Sequence, residues 1–285
     1  MSTSAKIPAQ IFHATPFHQK GITGKHITVA IIDSGVSYHP DLPANRILAC
    51  IDFTQSHSVS QCTDAFSHGT HVAGIIASRR IGIAPECNII SLKILDQYGR
   101  GKTEHFIDAV KWILRHKEQY HIQIANISIG GNTSYDTSTD SLLNYWVQQL
   151  WDHGIVVCCS AGNNGPRPGS ITAPGSCRKV ITVGSSDGTH YSSAGPLLPR
   201  ITKPELIAPG TQIISLKPNN GYTLKSGTSM ATPFVSGACA LLLQHHPELT
   251  NDQIKIRLME SAHPVSYLPT NMQGAGLLSL KDLLS

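Results

Sequence analysis

The chain has 285 residues, of which 40% are hydrophobic and 14% charged, and its formal net charge is +4 with its 15 histidines counted as neutral. A chain of this length can bury a large hydrophobic core. The lysines and arginines are scattered without interleaved aromatic residues, so we expect no nucleic-acid partner. The longest apolar segments fall far short of the roughly twenty residues that a membrane span needs, so we expect no membrane anchor.

Strand-like and helical patterns alternate along the chain. Strands are predicted near residues 27–33, 88–95, 122–128, 154–160 and 179–184. Helices are predicted near residues 68–78, 103–118 and 138–152, after residue 229, over 251–261 and near residue 280. The polar segments 133–139 and 164–176 are typical of surface loops. The alternation predicts an α/β fold with a mostly parallel sheet and helices on both faces, as a single domain over residues 1–285.

Asp33 is the first residue whose chemistry stands out. It follows the β-branched run 27–32, and Ser34 and Gly35 can turn the chain directly after it. Its carboxylate is therefore expected at the carboxyl end of a buried strand. His68 comes next, ahead of a small and apolar stretch over residues 72–77. Its imidazole is expected near the N-terminus of a helix.

Ser229 lies in the run Gly-Thr-Ser-Met-Ala-Thr-Pro of residues 227–233. Apolar residues follow it at helical spacing, and Pro233 lies early enough for the first turn of a helix. A serine hydroxyl is a poor nucleophile at neutral pH, so it needs a base to accept its proton and a third group to orient that base. His68 and Asp33 can supply these two roles.

The three segments resemble the active-site signatures of the subtilisin family of serine proteases, and the resemblance runs from about Ile7 to the last helix. It implies a single-domain subtilisin-like fold and a serine endopeptidase that works through an acyl-enzyme. It makes Ser229 the nucleophile, His68 the general base and later general acid, and Asp33 the residue that orients the imidazole. Asn163 follows the apolar run 155–159 and matches the family's oxyanion asparagine, although an ordinary Asn-Gly turn is the structural alternative.

The resemblance also implies that a protein or peptide substrate binds as an extended strand between two segments. The first segment comprises Ser128, Ile129 and Gly130. The second comprises Arg100, Gly101 and Lys102. Glycine would let the backbones approach closely, and an ordinary glycine turn is the alternative for both segments.

Two departures from the family concern specificity. The charges of Arg100 and Lys102 predict some preference for acidic or polar residues upstream of the cut, with a solvated basic rim as an equal alternative. Thr172 would form the floor of the primary pocket, where many relatives have glycine. It predicts a smaller pocket that disfavours large aromatic side chains.

No cofactor and no metal site is expected. Many subtilisins hold calcium with a loop that interrupts the helix after the catalytic histidine, together with a nearby aspartate. Here that loop is missing, and although Asp41 remains, Arg79 and Arg80 stand where oxygen ligands would be needed. Hard cations need several oxygen ligands, so tight calcium binding at this place is not expected, while weak binding stays open.

The N-terminus and the cysteines bear on the compartment. Residues 1–6 have no apolar core of the kind a secretory signal requires, and the next residues resemble the start of a mature catalytic domain. This indicates either an intracellular relative without a prosegment or a trimmed chain with an added methionine. Seven cysteines are an odd number without metal-ligand spacing, so we expect free thiols in the cytoplasm, with Cys177 the most accessible.

Three functions remain open on the sequence. The first is a general intracellular endopeptidase acting in protein turnover or processing. The second is a dedicated processing protease, since relatives act in leader-peptide removal and in spore germination. The third is a catalytically silent binding relative. The sequence does not indicate the oligomeric state.

Overall fold

The computed structural model of the protein describes residues 6–55, 59–60, 62–130, 137–196 and 202–285. Its strands, in chain order, are β1 (Thr28–Asp33), β2 (Ile47–Asp52), β3 (Val59–Ser60), β4 (Asn88–Lys93), β5 (Ile122–Ile127), β6 (Val156–Ser160), β7 (Ile181–Ser185), β8 (Leu206–Ala208), β9 (Ile213–Lys217), β10 (Gly221–Lys225), β11 (Ala262–His263) and β12 (Leu277–Leu278). Its helices are α1 (Pro8–Ile11), α2 (Thr15–Gln19), α3 (Gly69–Ala77), α4 (Thr103–Tyr120), α5 (Thr137–Asp152), α6 (Thr228–His245), α7 (Asn251–Glu260), α8 (Thr270–Gln273) and α9 (Leu280–Leu283), with a short 3-10 helix at Ala44–Arg46.

One large sheet forms the centre of the fold. In the described residues it has ten strands, in the order β11-β12-β8-β7-β6-β5-β1-β4-β2-β3. Neighbours from β12 to β2 run parallel, and only the outermost pairs, β11 with β12 and β2 with β3, are antiparallel. Strands β9 and β10 form a separate antiparallel hairpin. The predicted α/β fold with a mostly parallel sheet is confirmed.

The central strands are covered by two groups of helices. Helix α6 packs on β5, β6 and β7 and against α3, while α4 and α5 pack against each other and on β5 and β6. Strand β1 is buried at every residue, which is why its sequence is a continuous apolar run rather than an alternating one. Helix α6 is almost entirely buried, and its small and apolar residues let it lie in the core.

The carboxyl ends of the central strands meet at one edge of the sheet. Asp33 at the end of β1 pairs in register with Lys93 at the end of β4, and Ile32 pairs with Ile127 at the end of β5. Ile127 in turn pairs with Cys159 in β6. Ligands of open α/β sheets bind at this edge, so the loops that leave these strands are placed to build a site.

The order in which the chain enters the strands explains why this edge offers a crevice. After β1 the chain forms β2 and β3 beyond β4 and returns through α3 to β4, and it then crosses through α4 to β5 on the other side of β1. Helix α3 packs with α6, whereas α4 packs with α5, so the helices before and after β4 in the chain belong to different groups. The loops after β1, β4 and β5 therefore separate at the point where the site is expected.

Some expectations on elements need correction. Pro233 lies at the sixth position of α6, not in its first turn, so the missing proline N–H leaves the carbonyl of Ser229 without its helical partner. Residues 137–139 of the predicted loop 133–139 belong to α5, and residues 133–136 lie outside the described part of the chain. The hairpin of β9 and β10, the six-residue strand β2 and the short strands β3, β8, β11 and β12 were not predicted.

The cysteines also depart from expectation, because Cys50 and Cys62 form a disulfide. Strands β2 and β3 pair antiparallel, and this return of the chain brings the two Cα atoms to 5.1 Å. The expectation of free thiols was wrong for this pair, since no sequence pattern indicated β3. The cysteines that stay free are all buried, namely Cys87, Cys158, Cys159, Cys177 and Cys239. Cys177, at 5% exposure, is therefore not the accessible thiol that we expected.

No helix in the described ranges combines the length and the apolar character that crossing a bilayer requires.

Candidate active site

Asp33 and His68 form the centre of the site. The His68 Nδ1 atom lies 2.7 Å from Asp33 Oδ1 and 3.0 Å from Oδ2. Asp33 is completely buried, and its Oδ1 also accepts a hydrogen bond of 2.7 Å from the Ser34 backbone N–H. A buried carboxylate on Nδ1 fixes the tautomer in which this nitrogen carries the proton. The Nε2 lone pair of His68 is then available as a base.

The local sequence places the imidazole beside the carboxylate. His68 is the N-cap of α3, and Gly69 follows it at the closest approach to the end of β1. A Cβ atom on Gly69 would lie 2.1 Å from the carbonyl oxygen of Gly35 and 3.1 Å from Asp33 Cβ. A side chain at position 69 would therefore force the helix away from β1, and only glycine permits this contact.

The pKa of His68 is raised above its ordinary value of 6.5. Burial by itself would lower the pKa, but the negative charge of Asp33 and its hydrogen bond outweigh burial, with a smaller contribution from Asp64. Lys225 acts in the opposite direction. The raised pKa means that the imidazolium is stabilised, which is the form that a general base reaches after taking a proton.

Ser229 is the second residue of α6 and is partly exposed. Gly227 precedes the helix with φ at 147°, a conformation that favours glycine, and its N–H donates to the carbonyl of Gly210 at 2.9 Å. The first N–H groups of a helix have no partner inside the helix. The backbone N–H of Ser229 therefore remains available at the helix N-terminus.

Asn163 is hydrogen-bonded to the N-terminus of α6. Its Oδ1 atom accepts hydrogen bonds from the backbone N–H of Thr228 at 3.0 Å and from the Thr228 hydroxyl at 3.2 Å. Thr228 Oγ1 in turn accepts from the Gly162 N–H at 3.1 Å. Because the oxygen of the amide is engaged, its NH₂ group is directed away from Thr228, and it lies 3.2 Å from where a Cβ of Gly227 would be. Asn163 is exposed, so this NH₂ group can reach a bound molecule.

A cleft of 560 Å³ lies beside His68. It brings together most of the residues that the sequence assigned to substrate binding, namely Arg100, Gly101, Lys102, Ser128, Ile129 and Gly130. Its floor is apolar, with Phe106 and Leu143 buried beneath it. The two segments thus border one groove.

The geometry of Arg100 to Lys102 suits an edge strand. Leu95 and Gly101 form an antiparallel bridge, and a Cβ on Gly101 would lie 2.7 Å from the Leu95 side chain. Asp96 Oδ1 accepts from the N–H of Arg100 at 2.9 Å, which closes the turn. The exposed Arg100 guanidinium lies over the ring of Tyr98, 5.7 Å from its centre, so its charge is held at the rim of the cleft.

Thr172 lies between Gly130 of the first segment and Gly162, which directly precedes Asn163. Its Oγ1 atom would be 3.4 Å from a Cβ on Gly130 and 3.5 Å from a Cβ on Gly162. It therefore borders the space next to Asn163 rather than the large cleft. Ser128 is buried, and its hydroxyl accepts from the side-chain NH₂ of Asn126 at 2.9 Å.

Asp41 does not fit a calcium site in this structure. It is 3% exposed, and its Oδ1 forms an ion pair with Arg80 Nε at 3.3 Å while Oδ2 accepts a hydrogen bond from the Tyr222 hydroxyl. Both carboxylate oxygens are thus engaged by protein donors, and a guanidinium already balances the charge. In the parts of the chain that are described, no cluster of three or more His, Cys, Asp or Glu residues could hold a metal. That the protein needs no cofactor stays a prediction.

Sequence reasoning missed two polar residues behind the site, Asp64 and His71. Asp64 is 3% exposed and accepts hydrogen bonds from both sides of the contact between β1 and α3. His71 is completely buried, and its Nε2 lies 3.1 Å from the carbonyl oxygens of both Ile213 and Thr223. His71 joins α3 to the hairpin that precedes Ser229. The contacts of His71 could not be predicted from the sequence, because the hairpin of β9 and β10 was itself not predicted.

Comparison with known proteins identifies the family. The model of the subtilase family, peptidase S8, matches residues 24–278. The chain is 36% identical over 300 aligned positions to the serine protease AprX of Bacillus subtilis strain 168, with 92% of this chain and 66% of AprX covered. It is 34% identical to the subtilisin of Bacillus pumilus, with 94% of each chain covered. The crystal structure of a cold adapted subtilisin-like serine proteinase matches with a TM-score of 0.77 and 31% identity over 90% of each chain.

The chain spans slightly less than two thirds of AprX but nearly the whole of the Bacillus pumilus subtilisin. The family match covers all three segments around Asp33, His68 and Ser229. The resemblance stated from the sequence is therefore confirmed, and the chain belongs to the subtilase family of serine endopeptidases.

Proposed function

We propose that the protein hydrolyses peptide bonds through an acyl-enzyme, with Ser229 as nucleophile, His68 as general base and Asp33 as its orienting partner. The observation that carries this proposal is the contact of 2.7 Å between His68 Nδ1 and the buried Asp33 carboxylate. It leaves Nε2 as the basic atom, at the sheet edge where α6 presents Ser229 at its N-terminus.

The proposed reaction follows from these positions. His68 Nε2 takes the proton of the Ser229 hydroxyl as its oxygen attacks the scissile carbonyl, and Asp33 stabilises the imidazolium that forms. The carbonyl oxygen becomes an oxyanion, which accepts hydrogen bonds from the Asn163 NH₂ group and the Ser229 backbone N–H. His68 then gives its proton to the leaving amine. Water activated by His68 hydrolyses the acyl-enzyme in the second half of the reaction.

We propose that the substrate lies as an extended strand in the cleft between Gly101 and Gly130. Both glycines expose backbone at the cleft, and main-chain hydrogen bonds there would hold a peptide regardless of its sequence. Selectivity would come from the rim and from the pocket. Arg100 and Lys102 are both exposed, so we expect a modest preference for acidic residues upstream of the cut. Thr172 would disfavour large aromatic residues at the cut itself.

The selectivity proposal is tested by profiling cleavage sites in a denatured proteome. Arg100→Gln together with Lys102→Gln should reduce the share of acidic residues upstream of the cut, while the matched change Arg178→Gln, at an exposed site outside the cleft, should leave it unchanged. An identical cleavage-site profile for all variants would mean that Arg100 and Lys102 only face solvent at the rim of the cleft and do not influence selectivity. Frequent cleavage after Phe or Tyr would contradict the role given to Thr172.

Among the functions left open by the sequence, we favour general protein turnover or processing, because Gly101 and Gly130 border the cleft and their backbone groups can bind a peptide of any sequence. A dedicated role in leader-peptide removal or germination is the alternative. Rapid degradation of casein would support the general role. A single clean cut in a native partner, with casein left intact, would support the dedicated role.

We further propose a cytoplasmic location, which the buried free cysteines support. The Cys50–Cys62 disulfide argues for the opposite conclusion, because disulfides persist mainly in oxidising compartments. Rapid alkylation of intact cells, followed by fractionation and mass analysis, tests the proposal. Alkylated Cys50 and Cys62 in the cytoplasmic fraction would support it, and a protected pair outside that fraction would contradict it.

The catalytic proposal is tested by casein hydrolysis. The wild type should hydrolyse casein, while Ser229→Ala and His68→Ala should show no hydrolysis above background although they remain folded. Ser226→Ala is the matched control, since Ser226 is an exposed serine three residues earlier and should be dispensable. Full activity of Ser229→Ala would refute the assignment. An inactive but folded wild type would indicate a silent relative.

A further inference from the structure

A second buried carboxylate lies directly behind the pair of Asp33 and His68. Asp64 Oδ1 accepts hydrogen bonds from the Ser34 hydroxyl and from the Ser67 backbone N–H, each at 2.8 Å. Its Oδ2 accepts from the Thr70 backbone N–H, also at 2.8 Å. Ser67 and Thr70 lie on either side of the His68–Gly69 pair. The carboxylate therefore accepts hydrogen bonds from the backbone on both sides of His68, at Ser67 and at Thr70.

Ser34 connects this carboxylate to the strand that carries Asp33. Its hydroxyl donates to Asp64 Oδ1 and accepts from the Gly69 N–H at 2.9 Å. Its own N–H donates to Asp33 Oδ1 at 2.7 Å. One residue thus contacts the catalytic carboxylate, the helix start and Asp64. The relative position of β1 and α3 depends on this set of hydrogen bonds.

A second hydrogen-bonded connection between Asp64 and Thr70 passes through Ser37. The Asp64 N–H donates to Ser37 Oγ at 2.9 Å, and the Ser37 N–H donates to Thr70 Oγ1 at 3.0 Å. The backbone of Asp64 is therefore held by a hydrogen bond of its own, in addition to those of its side chain. Its oxygen atoms cannot move away from the His68 segment without breaking these contacts.

Burying the Asp64 carboxylate near the charge of Asp33 is electrostatically unfavourable. Burial raises the pKa of Asp64, and the nearby charge of Asp33 raises it further, although the hydrogen bonds oppose both effects. A neutral residue would avoid placing a second carboxylate beside Asp33. However, all the partners of the two oxygens are donors, so an amide in its place would direct an NH₂ group at another N–H. A carboxylate satisfies every donor.

We propose that Asp64 is a positioning residue that holds His68 in register with Asp33 and adds negative potential that favours the imidazolium. This inference rests on the proposed function, in which His68 is the general base. Asp64 acts through the loop and through Ser34 and does not contact the substrate.

The charged groups that face His68 come from several elements. The charged groups are Asp33 at the end of β1, Asp64 in the loop before α3 and Lys225 at the end of β10, and His71, one turn along α3, is a neutral but titratable neighbour. The two carboxylates raise the pKa of His68, and Lys225 lowers it. Removing the charge of Asp64 therefore lowers the pKa of His68. The acid limb of the activity profile should then move to lower pH, because the imidazole stays neutral further into acid.

The test compares Asp64→Asn with Asp52→Asn in the full chain, using hydrolysis of a peptide substrate. Asp52 is a matched control, because its carboxylate is 1% exposed and pairs with Lys93 at 2.8 Å without contacting His68. We expect Asp64→Asn to lose about tenfold to a hundredfold in kcat with little change in KM, since misplacing a catalytic group has this effect. The acid limb of its pH–activity profile should shift to lower pH. Asp52→Asn should keep the wild-type acid limb even where its melting temperature falls.

A second pair of variants keeps the proposal testable where Asp64→Asn does not fold. Ser34→Ala removes the hydroxyl that links Asp64 to β1, and Ser34→Thr restores a hydroxyl. The alanine variant should lose kcat in the same direction as Asp64→Asn, and the threonine variant should regain it. A folded Asp64→Asn with wild-type kcat and an unmoved acid limb would overturn the inference. Equal activities of Ser34→Ala and Ser34→Thr would also overturn it.

The same experiment separates this inference from the proposed function. If the wild type hydrolyses the peptide and His68→Ala does not, the proposed function stands and the Asp64 variants decide the inference. If His68→Ala keeps the wild-type rate, the proposed function fails, and the inference fails with it.

Discussion

His71 should make the folded state sensitive to acid, and His71→Gln should remove much of that sensitivity. The imidazole is completely buried, its Nε2 lies 3.1 Å from two carbonyl oxygens, and its Nδ1 has no partner among the described residues. Two carbonyl acceptors require a proton on Nε2, so the neutral ring carries none on Nδ1. Protonation would place an unpaired charge on buried Nδ1, with Lys225 nearby opposing it.

The magnitude follows from the pKa. Burial lowers the pKa of His71 from 6.5 to about 3, because the charged form loses its hydration. The unfolded state therefore binds more protons than the folded state between these values, so stability falls as the pH falls from about 6.5 towards 3. At about 1.4 kcal/mol per pKa unit the full loss is about 5 kcal/mol. About 2 kcal/mol of it should occur between pH 7 and pH 5.

The assay is urea unfolding at pH 7, 6 and 5, with all variants built on Ser229→Ala so that self-digestion does not interfere. His71→Gln keeps a side-chain N–H that can reach the carbonyl oxygens but does not titrate. We expect it to lose about 2 kcal/mol less than its parent between pH 7 and pH 5. His190→Gln is the matched control, because His190 is exposed and should leave the pH dependence unchanged.

The comparison of slopes, rather than of absolute stabilities, decides the outcome. Loss of packing in His71→Gln lowers stability at every pH by a similar amount, and this offset does not affect the slope. Parallel curves for His71→Gln and its parent would refute the reasoning, since they would show that His71 is not a neutral buried base. A slope change as large in His190→Gln would refute it as well.

Three further predictions concern the proposed oxyanion donor, the effect of removing metal ions and the disulfide. Asn163→Ala should lower kcat by about a hundredfold to a thousandfold with little change in KM, a magnitude carried over from subtilisin itself, and unchanged kcat would remove Asn163 from the mechanism. Chelator should leave the melting temperature unchanged, because Arg80 and Tyr222 already engage the Asp41 carboxylate, and a large drop would reveal a metal site. The double change Cys50→Ala and Cys62→Ala should cost about 3 kcal/mol in urea unfolding, since the bond closes a loop with a sequence separation of 12, and wild-type stability would contradict this.

The sequence was sufficient for the parts of the site that lie at the ends of long, strongly patterned elements. The apolar run before Asp33 and the apolar stretch after His68 correspond to β1 and α3, and the segment that contains Asn163 follows β6 as predicted. The carboxyl ends of β1, β5 and β6 meet at one edge because the strands are parallel and in register. This geometry follows from the alternation of strands and helices alone.

The parts that could not be predicted depend on short elements and on contacts between distant segments. Strand β3 has two residues, which is too few for a pattern, so the partner of Cys50 could not be inferred. Asp64 lies in a loop with no periodicity, and its role depends on Ser34, 30 residues earlier. His71 contacts the hairpin of β9 and β10, more than 140 residues later in the chain. Such contacts arise from tertiary packing, which local sequence patterns do not report.

The central claim is that Ser229 is activated by His68 and Asp33. The most direct test is exposure of the folded protein to a fluorophosphonate probe, followed by intact-mass analysis and peptide mapping of the wild type, Ser229→Ala and His68→Ala. Our account predicts stoichiometric labelling of the wild type on Ser229 alone, and none of either variant. Labelling of another residue, or undiminished labelling of His68→Ala, would contradict it.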